Sequence, residues 1–483
     1  MVRLIPIYSW TKRFRNFQQR RRKFANEPWA QGVVLLLCVV VAMLLANLPV
    51  TRAAYHDILH TDLSISFMVP GGERVFFPRG MSVEKFINDV LMAVFFFTVG
   101  LEIRREMKSG ELSTVKKAMM PVIAAVGGVL APALIYTLIN KGTAASSGWG
   151  IPTATDIAFA VGILSILGDK VPLSLKVFLT ALAIADDLMA ILVVAFFYGG
   201  SIDFGLLGLS VLLILLVVFM NKVGEKRLAY YFFPAIAIWV LFYYAGIHST
   251  MAGVVMAFLV PMKSRYHRAY LTVKAEKYSA RLLSYDNIDD EPFPNGPQRH
   301  CLRRLSVIAK ETIPMNSRLE HSLSPWVNFL IMPLFALANA GVEIPDLSYF
   351  NVMNFNPEMG SVSMGVFLGL LIGKPLGISL ASFIAVKLHA GEMPSKATWK
   401  MLFAVACLGG IGFTMSIFVD TLSFGNLAPV DTARLRDMGK VAVLTGSFCS
   451  AILGIILIRV FYHYPVFVEI VGITSKIAIW YKN

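Results

Sequence analysis

Charged residues are scarce in this chain. They make up 15% of its 483 residues, and 56% are hydrophobic, whereas soluble domains carry a charged share of about 25%. The apolar residues fall in long runs nearly free of charge, such as 33–48 and 441–460. A run of about 20 apolar residues matches the hydrocarbon core of a bilayer. The scarcity of charge therefore argues against a soluble globular protein and predicts an all-α, multi-pass membrane protein.

Cysteine is also scarce. Three of the four cysteines lie in apolar runs (Cys38, Cys407 and Cys449) and Cys301 lies in a charged loop, so no disulfide framework is predicted. A signal peptide is not predicted either, because the basic stretch at 12–23 precedes an apolar segment too long for one. We expect residues 1–28 to form a basic cytoplasmic tail.

Acidic residues are fewer than basic ones, 30 against 44, which gives a formal net charge of +14. The basic residues lie in tails and short loops between apolar runs, as the positive-inside bias predicts, so we expect membrane lipid and no nucleic acid as a partner. Basic loops after the second and sixth runs, together with an even number of spans, place both termini in the cytoplasm. Arg434, Arg436 and Lys440 are an exception, because this arrangement puts them outside.

We predict about twelve spans from the apolar runs. Spans 1–8 lie within 29–262 and spans 9–12 within 320–460, separated by a charged cytoplasmic insert at 263–319 and followed by a tail at 461–483. The predicted spans are 29–49, 84–103, 118–139, 151–168, 172–199, 205–221, 229–247, 249–262, 325–341, 363–388, 400–423 and 438–460.

The segment 63–80, between the first two spans, alternates apolar and polar residues around Pro70-Gly71-Gly72. This pattern predicts a β-hairpin, although an ordered surface loop fits it equally well. Since an isolated hairpin is marginal in water, we expect this one to pair with another subunit or to pack on the protein.

Two adjacent aspartates, Asp186 and Asp187, lie in the middle of an apolar helix. An unpaired charge there costs several kcal/mol, so it normally faces a cavity or a partner. Carboxylate oxygens suit hard cations such as Na+, while burial and mutual repulsion favour protonation. Such a site can hold either a cation or protons, as an exchanger requires. The alternative is a structural pair of buried acids.

Two further sites interrupt apolar spans. Thr155 and Asp156 follow Pro152 in span 4, where the aspartate could cap a half-helix or bind the cation; an ordinary kinked helix is the alternative. Gly410, Gly412 and Thr414 lie in a glycine-rich stretch of span 11, which indicates either unwound backbone or close helix packing.

Two interrupted spans at corresponding positions in the two halves of a transporter point to its binding site. Lys374 lies amid the apolar residues of span 10. It must pair with a carboxylate, face the negative ends of half-helices, lose its proton, or extend to the membrane interface.

Weaker signals are polar residues near helix ends, which could line an ion entrance or sense pH, since histidine titrates near neutrality. Capping and solvated surface networks are the alternatives. These residues are Asp89, Glu102, Arg105, Glu106, His248, Glu320 and His321.

Five motifs in this order resemble the NhaA family of bacterial sodium/proton antiporters, from about Ala30 to Val460 without the insert. They are Met92-Ala93-Val94-Phe95-Phe96-Phe97 with Val99-Gly100-Leu101-Glu102, Ala154-Thr155-Asp156-Ile157-Ala158-Phe159-Ala160, Ala183-Ile184-Ala185-Asp186-Asp187-Leu188, Gly373-Lys374-Pro375-Leu376-Gly377, and Gly410-Ile411-Gly412-Phe413-Thr414-Met415-Ser416-Ile417-Phe418.

The resemblance implies inverted repeats, spans 3–5 against 10–12, with spans 4 and 11 discontinuous. Asp187 matches the family's principal cation ligand, Asp186 its partner carboxylate, and Lys374 the lysine that pairs with it. The resemblance further implies electrogenic exchange of Na+ or Li+ for H+, activation at alkaline pH, no cofactor, a bacterial inner-membrane location and a homodimer formed through a periplasmic hairpin.

The chain departs from the family pattern in its long insert, in its extended basic tail and at Ser324, where some relatives have a second histidine. These departures put the details of pH regulation in doubt and leave the ion site unaffected.

Other functions remain open at this point. An intramembrane aspartyl protease would need a Gly-x-Gly-Asp motif, which the sequence lacks, so we do not expect an enzyme. A passive cation channel would not couple sodium to protons, and a solute symporter of the same fold would not need the aspartate pair. The sequence also leaves open whether Asp186 or Lys374 carries a second proton, because coupled sites titrate together.

Overall fold

The computed structural model describes residues 27–63, 66–69, 72–75, 81–199, 202–225, 227–283, 295–344, 360–395, 397–424 and 429–463. Nearly all of the predicted N-terminal and C-terminal tails, and residues 64–65, 70–71 and 76–80 of the predicted hairpin, therefore lie outside the described residues.

The described part of the chain is almost entirely helical. Its helices are α1 (Pro28–Asn47), α2 (Arg52–His60), α3 (Val83–Ser109), α4 (Val115–Ile139), α5 (Ile157–Leu167), α6 (Leu173–Phe197), α7 (Phe204–Val223), α8 (Ala229–Tyr244), α9 (Met251–Leu259), α10 (Arg268–Leu283), α11 (Gly296–Thr312), α12 (Met315–Asn339), α13 (Val362–Lys387), α14 (Trp399–Gly409), α15 (Phe413–Ser423) and α16 (Pro429–His463). A 3-10 helix at Ala144–Thr153 precedes α5, and a shorter one at Gly168–Lys170 follows it.

Two short strands, β1 (Ser66–Val69) and β2 (Gly72–Val75), pair antiparallel within the segment predicted to form a hairpin. The register joins Ser66 to Val75 and Val69 to Gly72. The described residues thus include one two-stranded sheet among the helices.

Nine helices in the described residues are long and apolar enough to cross a membrane, or ten if the bent pair α14 and α15 is one span. This count is lower than the predicted twelve because α8 has 16 residues and α9 has nine. A span through about 30 Å of hydrocarbon needs roughly 20 helical residues. These two apolar helices are therefore too short to count as membrane spans by length.

The chain forms two compact units. The first comprises residues 1–88, 106–198 and 328–483. Within it, α4 and α13 approach closely at two glycines: a side chain on Gly127 would collide with the carbonyl of Gly377, and one on Gly377 with the carbonyl of Gly127. Small residues permit such close helix contact within a membrane protein.

The second unit comprises residues 89–105 and 199–327. Its core includes buried side chains of α7, α8 and α9, such as Val217, Ile238 and Met256. In the predicted insert, α10 and α11 pack together, and Arg265 forms an ion pair with Glu311 at 3.2 Å. The N-terminus of α11 has a capping box made by Asn295 and Gln298. The described residues of the charged insert therefore form folded structure.

Candidate ion-binding site

The first break interrupts the apolar segment 144–167. The 3-10 helix ends at Thr153, residues 154–156 are not helical, and α5 begins at Ile157. Asp156 is the N-cap of α5, where its Oδ1 accepts a hydrogen bond from the amide of Phe159 at 3.4 Å. The carboxylate thus lies at the positive end of a half-helix, which favours negative charge.

The second break separates α14, which ends at Gly409, from α15, which begins at Phe413, with a bend of 49°. Ser447 of α16 accepts hydrogen bonds from the amides of Gly412 at 3.2 Å and Phe413 at 3.1 Å. Its hydroxyl oxygen therefore satisfies two amides at the start of α15 that have no partner within the helix.

The two breaks lie against each other and exchange hydrogen bonds. The amide of Asp156 donates to the carbonyl of Ile411 at 2.7 Å, and the hydroxyl of Thr155 donates to the carbonyl of Gly409 at 2.7 Å. Asp156 Oδ2 accepts from both the amide and the hydroxyl of Thr414. Backbone groups released by one break are thus satisfied by the other, as non-helical backbone at membrane depth requires.

The aspartate pair of α6 lies in the same unit, and both residues are buried. Lys374 of α13 is fully buried, and its ammonium donates to Asp186 Oδ2 and to the hydroxyl of Thr155. Asp187 interacts electrostatically with the same ammonium. One lysine therefore links the aspartate pair to the first break.

This arrangement collects carboxylate and hydroxyl oxygens around buried, non-helical backbone, and hard cations prefer such ligands. Asp186 Oδ1 accepts no hydrogen bond from the described residues, so it could accept one from a ligand. Because Lys374 neutralises one carboxylate in the absence of a cation, the charge of the site can change when a cation or a proton binds.

A cavity of about 1060 Å³ lies elsewhere in the same unit. Its lining includes Lys116, Lys117, Lys170 and Lys176, together with Ala181 of α6, and it includes no predicted ion-site residue. The lysines make it a poor binding site for a cation, so the chemistry of the aspartate pair identifies the candidate site better than cavity size does.

The predicted entrance residues of the second unit are only partly brought together. Arg105 pairs with Glu320, which is 8% exposed, and lies 3.9 Å from Glu102. His321 is exposed. Glu106 belongs to the first unit, where its Oε2 accepts a hydrogen bond from the amide of Glu111 at 3.1 Å.

Asp89 and His248 occupy other positions in the second unit. Asp89 Oδ1 accepts a hydrogen bond from Ser249 at 3.2 Å, and its carbonyl accepts one from Trp239 at 3.2 Å. The His248 Nδ1 lies 2.8 Å from the Thr250 hydroxyl. Burial lowers the pKa of His248 to about 4, which argues against a titrating role for this ring near neutrality.

Sequence reasoning missed Ser447, whose hydroxyl accepts hydrogen bonds at the second break. It also missed Tyr198, whose hydroxyl accepts a hydrogen bond from the amide of Gly150 at 3.1 Å and donates one to the carbonyl of Ser147 at 2.9 Å. No signal in the sequence separates these residues from other serines and tyrosines of apolar spans. It also missed Asp420, for which a signal exists: it is a single acid within the apolar segment 413–423.

Comparison with known proteins supports the resemblance read from the motifs. The family model for Na+/H+ antiporter 1 matches residues 22–458. The Na(+)/H(+) antiporter NhaA of Oleidesulfovibrio alaskensis is 40% identical over 440 residues, which cover 91% of this chain and 93% of that protein. The protein of the same name from Escherichia coli strain UTI89 is 37% identical over 439 residues, covering 91% of this chain and 97% of that protein.

A solved structure, that of the sodium proton antiporter MjNhaP1 from Methanocaldococcus jannaschii, aligns with a TM-score of 0.48 and 11% sequence identity, covering 89% of this chain and 97% of that chain. This likeness is too weak to carry a conclusion. The family model and the NhaA relatives cover about nine-tenths of the chain, and this multi-pass membrane protein belongs to the Na+/H+ antiporter 1 family.

Proposed function

We propose that this chain is a secondary antiporter that exports Na+ or Li+ in exchange for H+, with Asp186 and Asp187 as the shared site. The observation that carries the proposal is a buried aspartate pair joined through Lys374 to Thr155, at the break of a span. Relatives named as Na(+)/H(+) antiporters support it. The family is one of transporters, and we expect no enzymatic activity.

In the proposed cycle, the site opens to the cytoplasm, where Na+ displaces protons from the carboxylates. The site then opens to the outside, Na+ leaves and protons rebind. Exchange moves net charge if more than one proton returns for each Na+. The second proton is carried by Asp186, or by Lys374 if Na+ displaces its ammonium from Asp186.

We further propose twelve spans, in which α8 and α9 count as two and the segments 144–167 and 399–423 are discontinuous spans 4 and 11. Spans 3–5 and 10–12 then form inverted repeats, each with a broken middle span. The order of elements supports this, because α4 and α6 flank one break and α13 and α16 flank the other.

The location follows from family membership and from charge. We propose a bacterial inner membrane with both termini in the cytoplasm, which the basic loops support. Large exposed apolar side chains on α7, such as Leu212 and Phe219, suit contact with lipid. The strands β1 and β2 then lie on the periplasmic side, where we propose that they pair with a second subunit to form a homodimer.

For pH regulation, we propose that the group formed by Arg105, Glu102 and Glu320 responds to protons. Support comes from the ion pair between Arg105 and the buried Glu320, which protonation of the carboxylate would break. Ser324 donates to the carbonyl of Glu320 at 2.6 Å, so the residue that replaces a histidine of some relatives lies beside this group.

The test is proton movement in everted vesicles from cells that lack other antiporters. Adding Na+ or Li+ should dissipate an imposed proton gradient between about pH 6.5 and about pH 9, and Asp187→Asn should abolish the response. Asp57→Asn, which removes an exposed carboxylate of α2, is the matched control and should respond like the wild type.

The same experiment separates exchange from a passive channel. A channel would carry Na+ without moving protons against their gradient. Sodium flux without proton countermovement would favour the channel, and no response to either cation at any pH would favour a fold retained for another solute.

A further inference from the structure

A second buried carboxylate lies in the first unit outside the ion site. Asp420 of α15 is fully buried, and neither of its carboxylate oxygens accepts a hydrogen bond from the described residues. It lies six residues after Thr414, which corresponds to a rise of about 9 Å along the helix. Asp420 therefore lies on the same half-helix as Thr414, the hydrogen-bond partner of Asp156, and nearly two turns beyond it.

The carboxyl group of Asp420 packs directly on the backbone of α16. A side chain on Gly439 would overlap Asp420 Oδ1, so α16 leaves room for the carboxyl group only because residue 439 is a glycine. The space is specific to this carboxylate, although nothing in the cycle proposed above uses it.

Charged and titratable groups act on Asp420 from three neighbouring elements. Lys440, Arg436 and Asp437 act on it from α16, and the hydroxyls of Tyr136 and Tyr198 interact with it from α4 and from the end of α6. Both hydroxyls already donate to backbone carbonyls, of Ala145 and Ser147 respectively.

Asp437, one member of this cluster, also interacts with residues of two other elements. Asp437 interacts electrostatically with His56 of α2 and with Glu84 at the start of α3. In the proposed topology, α2 and the start of α3 belong to the periplasmic side. Titratable groups therefore continue from the buried Asp420 to elements that border the periplasm.

These neighbours account for Arg436 and Lys440, two of the three basic residues that depart from the positive-inside pattern. Arg436 and Lys440 lie on the outer side because they compensate Asp420 and Asp437. Burial without a hydrogen bond favours the neutral acid, whereas two nearby cations favour the carboxylate. A group under these opposing influences can exist as the neutral acid or as the carboxylate.

We propose that Asp420 is a second proton-binding site, on the periplasmic half of the pathway, through which protons pass between the periplasm and the ion site. A proton leaves water at the periplasmic face and forms an O–H bond with Asp420. That O–H bond breaks when the proton moves inward, and a carboxylate oxygen of Asp156 accepts it. This inference rests on the proposed sodium/proton exchange.

The test is Na+ efflux from right-side-out vesicles, measured against external pH at a fixed internal pH. Wild-type efflux should rise as external pH falls. Asp420→Asn cannot bind a proton there, so it should slow efflux by about 100-fold, the lower end of the range expected for loss of a positioned proton-transfer group, and flatten the dependence on external pH. Its dependence on internal Na+ should stay that of the wild type.

Two further variants keep the test decisive if Asp420→Asn accumulates poorly. Asp420→Glu retains a carboxyl group and should keep a dependence on external pH. Gly439→Ala displaces the carboxyl group without removing it and should shift the midpoint of that dependence. Asp57→Asn again serves as the control.

The outcomes are distinct. If Asp420→Asn and Gly439→Ala both follow the wild-type curve against external pH, Asp420 is a structural buried charge and the inference is wrong. If either variant only lowers the amount of folded protein, with the same pH curve per molecule, the inference is also wrong. If the wild type itself shows no proton-coupled Na+ efflux, the proposed function fails instead.

Discussion

At the scale of single residues, the chemistry of the site centres on the buried pair of Lys374 and Asp186. Both side chains are almost inaccessible, at 0% and 3% exposed. Removing charges from water costs several kcal/mol for each ion, and their mutual attraction only partly offsets this cost. The pair is therefore a poor source of stability, and a cation or a proton that competes for the carboxylate can separate it.

The first prediction concerns this pair. Lys374→Met leaves a buried carboxylate without its counter-ion, which should lower the free energy of unfolding by about 3–5 kcal/mol. Asp186→Asn removes the carboxylate to which the Lys374 ammonium donates, and it should destabilise the protein for the same reason. The double variant should unfold at a higher temperature than either single variant. Thermal unfolding of the purified protein measures this, and additive losses from the two substitutions would show that the ion pair does not couple them.

The second prediction concerns His248. Its pKa of about 4 in the folded protein lies below the usual histidine pKa of 6.5, so the unfolded chain binds more protons between these two pH values. The histidine therefore lowers stability as pH falls from about 6.5 to about 4 and has no effect above this range. His248→Gln should leave the pH dependence of exchange between about pH 6.5 and about pH 9 unchanged. A shift of the midpoint would show that this ring titrates during transport.

Sequence reasoning singled out the charged residues of the candidate site because charge in an apolar span is costly and therefore conspicuous. Asp186, Asp187 and Lys374 stand out for this reason. The contact of Lys374 with Thr155, and that of Thr414 with Asp156, could not be predicted, because they depend on how distant spans pack. Ser447 carries no charge and breaks no pattern, so its role becomes visible only in the structure.

At the scale of elements, the break before α5 and the break before α15 form one hydrogen-bonded arrangement. Asp156 caps α5 and also binds the start of α15 through Thr414, so a single carboxylate serves both breaks. Proline and glycine predict where the helices end. They do not predict which carbonyl pairs with which amide, since these partners are more than 250 residues apart in the chain.

The third prediction tests how α15 is held. Ser447→Ala removes the acceptor of two amides at the start of this half-helix, and loss of an N-terminal cap costs roughly 1 kcal/mol. We expect a lower unfolding temperature and a higher Na+ concentration for half-maximal exchange, because Thr414 moves with the helix end. Ser450→Ala is the matched control, a buried serine of the same helix with only a 3.5 Å contact to the carbonyl of Leu370. Equal effects of both substitutions would contradict the capping role.

At the scale of the whole molecule, hydropathy predicts the number of apolar segments better than it predicts their length. It predicts spans at α8 and α9, yet these helices end at Tyr244 and Leu259 and are shorter than a bilayer requires. Helix ends depend on loops such as 245–250, whose turns are set by packing as well as by local sequence. The segment 263–319 contains α10 and α11 because its apolar residues can pack against each other despite the charge around them.

The fourth prediction concerns orientation. Single cysteines at Glu392, between α13 and α14, and at Asp57, on α2, should be labelled by a membrane-impermeant maleimide from opposite sides. In a background without the native cysteines, Glu392→Cys should react only when the cytoplasmic face is accessible, and Asp57→Cys should react in intact spheroplasts. Labelling of both residues from one side would contradict the proposed topology.

The most direct test of the central claim is proton release when Na+ is added to the purified protein in weakly buffered solution near pH 8. If Na+ and protons compete for the aspartate pair, the wild type should release about one to two protons for each Na+ bound, the number expected when ligands must be deprotonated to bind a cation. Asp187→Asn should release none, and Asp57→Asn should match the wild type. Sodium binding without proton release, or equal release from Asp187→Asn, would contradict competition at this site.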